Sequence, residues 1–110
     1  REYTGIIQIY VKCANGLPKS DLFSDSDPYV VFDNNIAGQT VKTKVIDDNN
    51  DPQWNERLIL SVNESVPVSI RVYDEDVVSS DDLLCTSLLN VAKECLNGTE
   101  IELNKKMDVE

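Results

Sequence analysis

The chain has 110 residues, 41% of them hydrophobic, with a formal net charge of −10 and no histidine. That length suits one domain around one core, and that hydrophobic share suits a folded rather than a disordered chain. The charge excludes nucleic acid as a partner, because phosphate is repelled, and opposes constitutive binding to an anionic membrane; the lack of histidine excludes Ser-His-Asp and Cys-His catalysis and most catalytic zinc sites within this segment.

The strand signal, alternation with period two, recurs along the chain. In residues 5–13 (GIIQIYVKC), Ile7, Ile9, Val11 and Cys13 fall on one face and Gln8, Tyr10 and Lys12 on the other. Segments 29–32 (YVVF), 39–46 (QTVKTKVI) and 56–62 (ERLILSV) behave similarly. In 67–73 (PVSIRVY), Val68, Ile70 and Val72 alternate with Ser69, Arg71 and Tyr73. Segment 83–89 (LLCTSLL) is apolar but less regular, a helical period is suggested only near 90–96 (NVAKECL), and 99–103 (TEIEL) reads as a last strand. About seven short strands between turn-rich stretches predict one all-β, antiparallel sandwich.

No apolar run approaches the roughly 20 residues that a bilayer span needs. With Arg1 first and no signal peptide, the chain reads as one domain over residues 1–110, a segment of a larger protein. The cysteines Cys13, Cys85 and Cys95 show no C-x-x-C spacing, and an odd count fits a reduced intracellular protein, with a Cys85–Cys95 pair left open.

The connections carry the acid: 19–27, 47–53 and 74–82. The first and third follow the strands at 6–13 and 68–73. If those strands run parallel in space, Asp21, Asp25 and Asp27 face Asp74, Glu75, Asp76, Asp81 and Asp82 at one end of the sandwich. One aspartate in a loop is ordinary turn chemistry. Eight acidic groups on two converging loops repel one another and cost stability unless a cation offsets them. The donors are all oxygen, which selects Ca²⁺ or Mg²⁺, and irregular loops suit Ca²⁺, with more than one ion for so many carboxylates. An EF-hand is excluded, since its third and sixth positions counted from Asp21 are Phe23 and Ser26. The stretch DDNNDP, 47–52, is similar to the calcium linkers of cadherin-like domains, but Asn and Asp before Pro mark a plain turn, and that is how it reads.

Leu22, Phe23, Val77 and Val78 lie among these carboxylates. If the aspartates hold ions at the loop bases, the apolar residues stand at the tips. There they either pack against one another or enter the interfacial region of a membrane, where burying a Phe or Leu yields about 1.5–3 kcal/mol.

These residues resemble the C2 domain family, β-sandwich modules that bind phospholipid when calcium rises. SDSDPYVVF (24–32), VKTKV (41–45), NDPQWNERLIL (50–60) and IRVYDED (70–76) match family motifs in order, with Asp51 where Asn is usual. The resemblance implies a Greek-key sandwich of about eight strands with calcium loops clustered at one end. It implies two or three calcium ions held by Asp21, Asp27, Asp74, Asp76 and Asp82, with a hydroxyl from Ser79 and backbone carbonyls from Ser20 and Glu75. Asp25 and Asp81 are extra carboxylates that it does not make ligands. After Asp82 the family has Ile-Gly or Leu-Gly, whereas this chain has Leu84-Cys85. Lys42 and Lys44 alternate outward and are either plain solvated lysines or a small patch for lipid headgroups, joined by Lys12. Trp54, Pro52 and Asn55 read as structural, and the sequons at Asn63 and Asn97 as chance.

The implied function is calcium-dependent binding to phospholipid membranes, anionic ones foremost, which targets a parent protein to the bilayer. The expected location is cytoplasmic, with peripheral recruitment to membranes, and a secreted parent is the alternative. The alternative function is a C2-like protein–protein interaction domain that does not use calcium. An enzyme is not expected, because there is no histidine, nucleophile elbow or Gly-rich phosphate loop.

Overall fold

The computed structural model describes residues 4–18, 25–36, 39–91 and 106–109. Among these residues seven strands run β1 (Thr4–Cys13), β2 (Pro28–Asp33), β3 (Thr40–Lys42), β4 (Gln53–Asn63), β5 (Val68–Asp74), β6 (Asp82–Leu89) and β7 (Asp108–Val109). They form two antiparallel sheets, one of β1-β4 and one in the order β3-β2-β5-β6-β7. The predicted strand at 99–103 and most of the helix-period stretch at 90–96 lie outside the described residues, and the short β7 was not foreseen.

Alternation builds the core. Val30 and Phe32 of β2, Val68 and Val72 of β5, and Leu58, Leu60 and Val62 of β4 point inward and are buried, with Ile7, Ile9 and Val11 of β1 packed against them. Trp54 joins the sheets: it is 2% exposed, and its indole N–H donates to the carbonyl of Pro28 on the other sheet at 3.2 Å. Burying an aromatic ring while satisfying its polar atom is the condition for placing it in a core.

Three local departures from ideal pairing follow from particular residues. On β1 and β4, Val11 faces Glu56 but Cys13 faces Gln53, so β4 carries an extra residue. Asn55 absorbs it at φ 48°, the left-handed region that Asn tolerates better than most side chains. The slip turns Cys13 outward, and the expectation that it shares the inner face of Ile7, Ile9 and Val11 is corrected: Cys13 is exposed. On β5 and β6, Val72 faces Cys85 and Tyr73 faces Leu83, so Leu84 is the extra residue. Leu84 and Cys85 are therefore both buried, which accounts for the irregular apolar run, and the bulge is made without a left-handed residue there. Third, β3 ends at Lys42 rather than running to residue 46. The Thr43 N–H still donates to the Val30 carbonyl at 3.0 Å, but the Thr43 hydroxyl accepts the Val30 N–H at 3.0 Å and the Lys44 N–H turns to the Glu56 carboxylate at 2.9 Å, so side chains take over part of the ladder.

The register fixes which end carries the site. Pro28 lies opposite Asp74, Asp74 opposite Asp82, and Cys13 opposite Gln53. Hence the connections 14–27, 43–52 and 75–81 leave the sandwich at the same end. At the other end Asn63 is buried and accepts from the Ser65 N–H in a tight turn between β4 and β5. Asn55→Gly is expected to leave stability within a few tenths of a kcal/mol, while Asn55→Val should cost about 1–2 kcal/mol because a β-branched side chain clashes in the left-handed region; urea unfolding of both variants checks this.

Candidate metal centre at the loop end

The stretch 47–52, expected to be a plain turn, is a brace built from Asx side chains. Asp48 stands at φ 51°. Its carboxylate accepts the Asp25 N–H at 3.0 Å, while its own N–H donates to Asp27 Oδ1 at 2.6 Å. The Asn50 carbonyl oxygen accepts the Ser26 N–H at 3.0 Å and its amide donates to Asp25 at 3.2 Å. Asp51 accepts the Gly16 N–H at 2.7 Å, from a glycine at φ 64°. The brace thus supports both the beginning and the end of the first acidic loop. Short Asx side-chain oxygens compete well for nearby N–H groups, which lets such a run serve as a brace as well as a turn.

Asp27 connects this loop to the third. Its N–H donates to Asp74 Oδ1 at 2.8 Å, and its carbonyl accepts the Glu75 N–H at 3.0 Å. Asp74 is 8% exposed, a burial a carboxylate tolerates when it is hydrogen-bonded. Asp82 begins the next strand directly opposite it.

Within the third loop, Asp76 organises the tip. Its Oδ1 accepts the Val78 N–H at 2.9 Å and the Ser79 N–H at 3.3 Å, and its Oδ2 accepts the Ser79 hydroxyl at 2.7 Å. These donors, the Val78 N–H first, hold its carboxyl below the usual carboxylate range. Val77 and Val78 are each 91% exposed.

Asp81 faces the sheet. Its Oδ1 accepts the Asp76 N–H at 2.9 Å, and its Oδ2 accepts the phenol O–H of Tyr29. Those two bonds, the backbone one first, lower its pKa. Burial, then the bond to Asp81, pushes the Tyr29 phenol up. The Tyr29 ring stacks on Tyr73 with centroids 5.6 Å apart, and the Lys42 ammonium lies 5.6 Å from the Tyr29 centroid. Lys42 and Lys44 are both exposed, whereas Lys12 belongs to β1 in the other sheet.

The structure therefore brings Asp27, Asp74, Asp76, Asp82, Glu75 and Ser79 to one end of the sandwich, together with Val77 and Val78. Ser20, Asp21, Leu22 and Phe23 lie outside the described residues. The donor set is carboxylate, carbonyl and hydroxyl oxygen, which in kind fits a hard cation. Among the described residues no group of three or more carboxylates is gathered closely enough to hold a metal ion.

The brace has a measurable weight. Asp48→Ala leaves the Asp25 N–H without its acceptor and places alanine in a left-handed conformation, so about 1–2 kcal/mol of stability should be lost; Asp48→Asn, which retains an oxygen and tolerates that conformation, should lose much less. Chemical unfolding of the two variants separates these outcomes.

A family model for the C2 domain matches residues 5–107 of this chain. A probable ADP-ribosylation factor GTPase-activating protein of Arabidopsis thaliana, AGD13, is 42% identical over 84 residues, 76% of this chain and 24% of that protein. The chain spans less than half the length of the curated relatives it matches. A C2 domain of plant extended synaptotagmin 1 superposes with a TM-score of 0.74 at 29% identity, covering 81% of this chain and 70% of that one. The calcium-bound tandem C2 domains of extended synaptotagmin 2 give 0.70 at 27% identity, covering 81% of this chain and 35% of that one. The motif order, the two antiparallel sheets and these matches agree: the chain belongs to the C2 domain family.

Proposed function

We propose that this domain binds phospholipid membranes in a calcium-dependent manner and so brings a larger protein to the bilayer. The observation that carries the reading is the meeting of acidic loops 14–27 and 75–81 at one end, tied Asp27 to Asp74, beside a tip on which Val77 and Val78 are 91% exposed. A chain of net charge −10 is repelled by anionic lipid until that end is neutralised. Two or three calcium ions would supply that positive charge, with coordination positions left for lipid phosphate oxygens.

In this reading the carboxylates of Asp21, Asp27, Asp74, Asp76 and Asp82 hold the ions, with the Ser79 hydroxyl and the Ser20 and Glu75 carbonyls. The shared position of the described members of this set at strand ends supports it. Asp76 must give up part of its hold on the Val78 and Ser79 N–H groups to take part, so the tip and the site respond together. Leu22, Phe23, Val77 and Val78 enter the interfacial region, and Lys42 and Lys44 face headgroups beside the Tyr29 ring. No helix among the described residues is long and apolar enough to cross a membrane. The domain binds rather than catalyses.

Co-sedimentation with anionic and neutral vesicles, with calcium and with chelator, tests the reading. Binding only with calcium is expected; a folded protein that binds in no condition would instead serve as a calcium-independent protein-interaction domain. Asp74→Asn combined with Asp76→Asn should abolish calcium binding in a calorimetric titration while the fold survives, since each Asn retains an acceptor oxygen. Phe23→Ala should weaken vesicle binding by about tenfold, with calcium affinity in solution nearly unchanged; an unmoved lipid affinity would remove Phe23 from the inserting set.

A further inference from the structure

Asp81 is a carboxylate that the ligand spacing leaves out, yet it is among the best-connected groups in the third loop. Residues 75–80 are exposed throughout. Beyond the Glu75 N–H on the Asp27 carbonyl, the loop's described bonds are internal, except at Asp81. There one oxygen receives the Asp76 N–H at 2.9 Å and the other the Tyr29 hydroxyl. Tyr29 stands on β2, stacked on Tyr73 of β5 and flanked by Lys42 of β3, so it is a rigid post on the sheet. Asp81 ties the loop to that post, and through its second oxygen it fixes the backbone of Asp76.

A plain turn at this position would be served by Asn or Ser. A carboxylate adds charge repulsion beside Asp76, Asp82 and Glu75, and what it gains is two strong charge-assisted bonds, one to the loop and one to the sheet. Each of its oxygens is engaged by one of these donors. We infer that Asp81 is a positioning residue: by accepting the Tyr29 hydroxyl and the Asp76 N–H together, it holds the third loop against the sheet and fixes the Asp76 backbone before an ion arrives, so that only the Asp76 side chain has to turn from the loop to the ion. The inference rests on the calcium reading proposed above. It adds Tyr29, a residue of the sheet, to the determinants of ion affinity.

The test is a double-mutant cycle read by calcium titration in the absence of lipid, on wild type, Tyr29→Phe, Asp81→Asn and the double variant. Tyr29→Phe retains the ring, its stack and its contact with Lys42, and removes only the hydroxyl. It should weaken calcium binding by about tenfold, the size of one charge-assisted hydrogen bond. In the Asp81→Asn background the same change should have little further effect, because its partner is gone. Unfolding midpoints without calcium, measured in parallel, separate a lost fold from a loosened loop: the expected result is a change in affinity larger than the change in stability accounts for. Calcium affinity equal to wild type in Tyr29→Phe would overturn the inference, and so would an equal loss in both backgrounds. If wild type itself takes up no calcium, the calcium reading fails first, and that outcome is distinct from a wild type that binds and a variant that matches it.

Discussion

Asp27 makes three hydrogen bonds to two other pieces of chain. Its N–H goes to the Asp74 carboxylate, its carbonyl receives the Glu75 N–H, and its own carboxylate receives the Asp48 N–H. The three connections at this end of the sandwich share no strand pairing with one another, so their relative placement rests on contacts of this kind. Pro28, the next residue, begins β2 and carries the two contacts from Trp54 and Ile46 on its carbonyl. The pair Asp27-Pro28 is thus where the core ends and the loop end begins, and Asp48, Asp74 and Glu75 are each tied to it directly.

The loop end stays together in spite of its charge because its carboxylates are occupied. Asp48, Asp51, Asp74, Asp76 and Asp81 each accept at least one backbone N–H, and Asp27 accepts another. At Asp76 and Asp81 these donors hold the carboxyl below the usual carboxylate range. The repulsion that made these loops conspicuous in the sequence is therefore partly offset by the backbone itself.

Much of this was legible from residues alone, for a physical reason. Inward Val30, Phe32, Val68 and Val72 alternate with outward neighbours, and a period of two is a direct imprint of the pleat. The convergence of the first and third loops was expected only on the condition that the strands before them run parallel, a direction the residues themselves leave open. What could not be read depends on pairing between distant residues. Nothing in Asn55 announces the slip that turns Cys13 outward, because the slip exists only between β1 and β4. The DDNNDP stretch has the composition of an exposed turn and is also a scaffold, and only the partners of Asp48 and Asn50 tell the two apart. The role of Asp81 was hidden for the same reason, since its partner Tyr29 is 52 residues away.

The Pro28 carbonyl accepts from Ile46 at 3.0 Å and from the Trp54 indole at 3.2 Å, and Trp54 belongs to the opposite sheet. One oxygen atom therefore sets the gap between the two layers at the mouth of the loop end. With the Trp54 ring buried behind it, that gap has no soft hinge: widening it would expose an indole and strand its N–H together. A change of width at this mouth is therefore felt in the core itself, through the Trp54 indole.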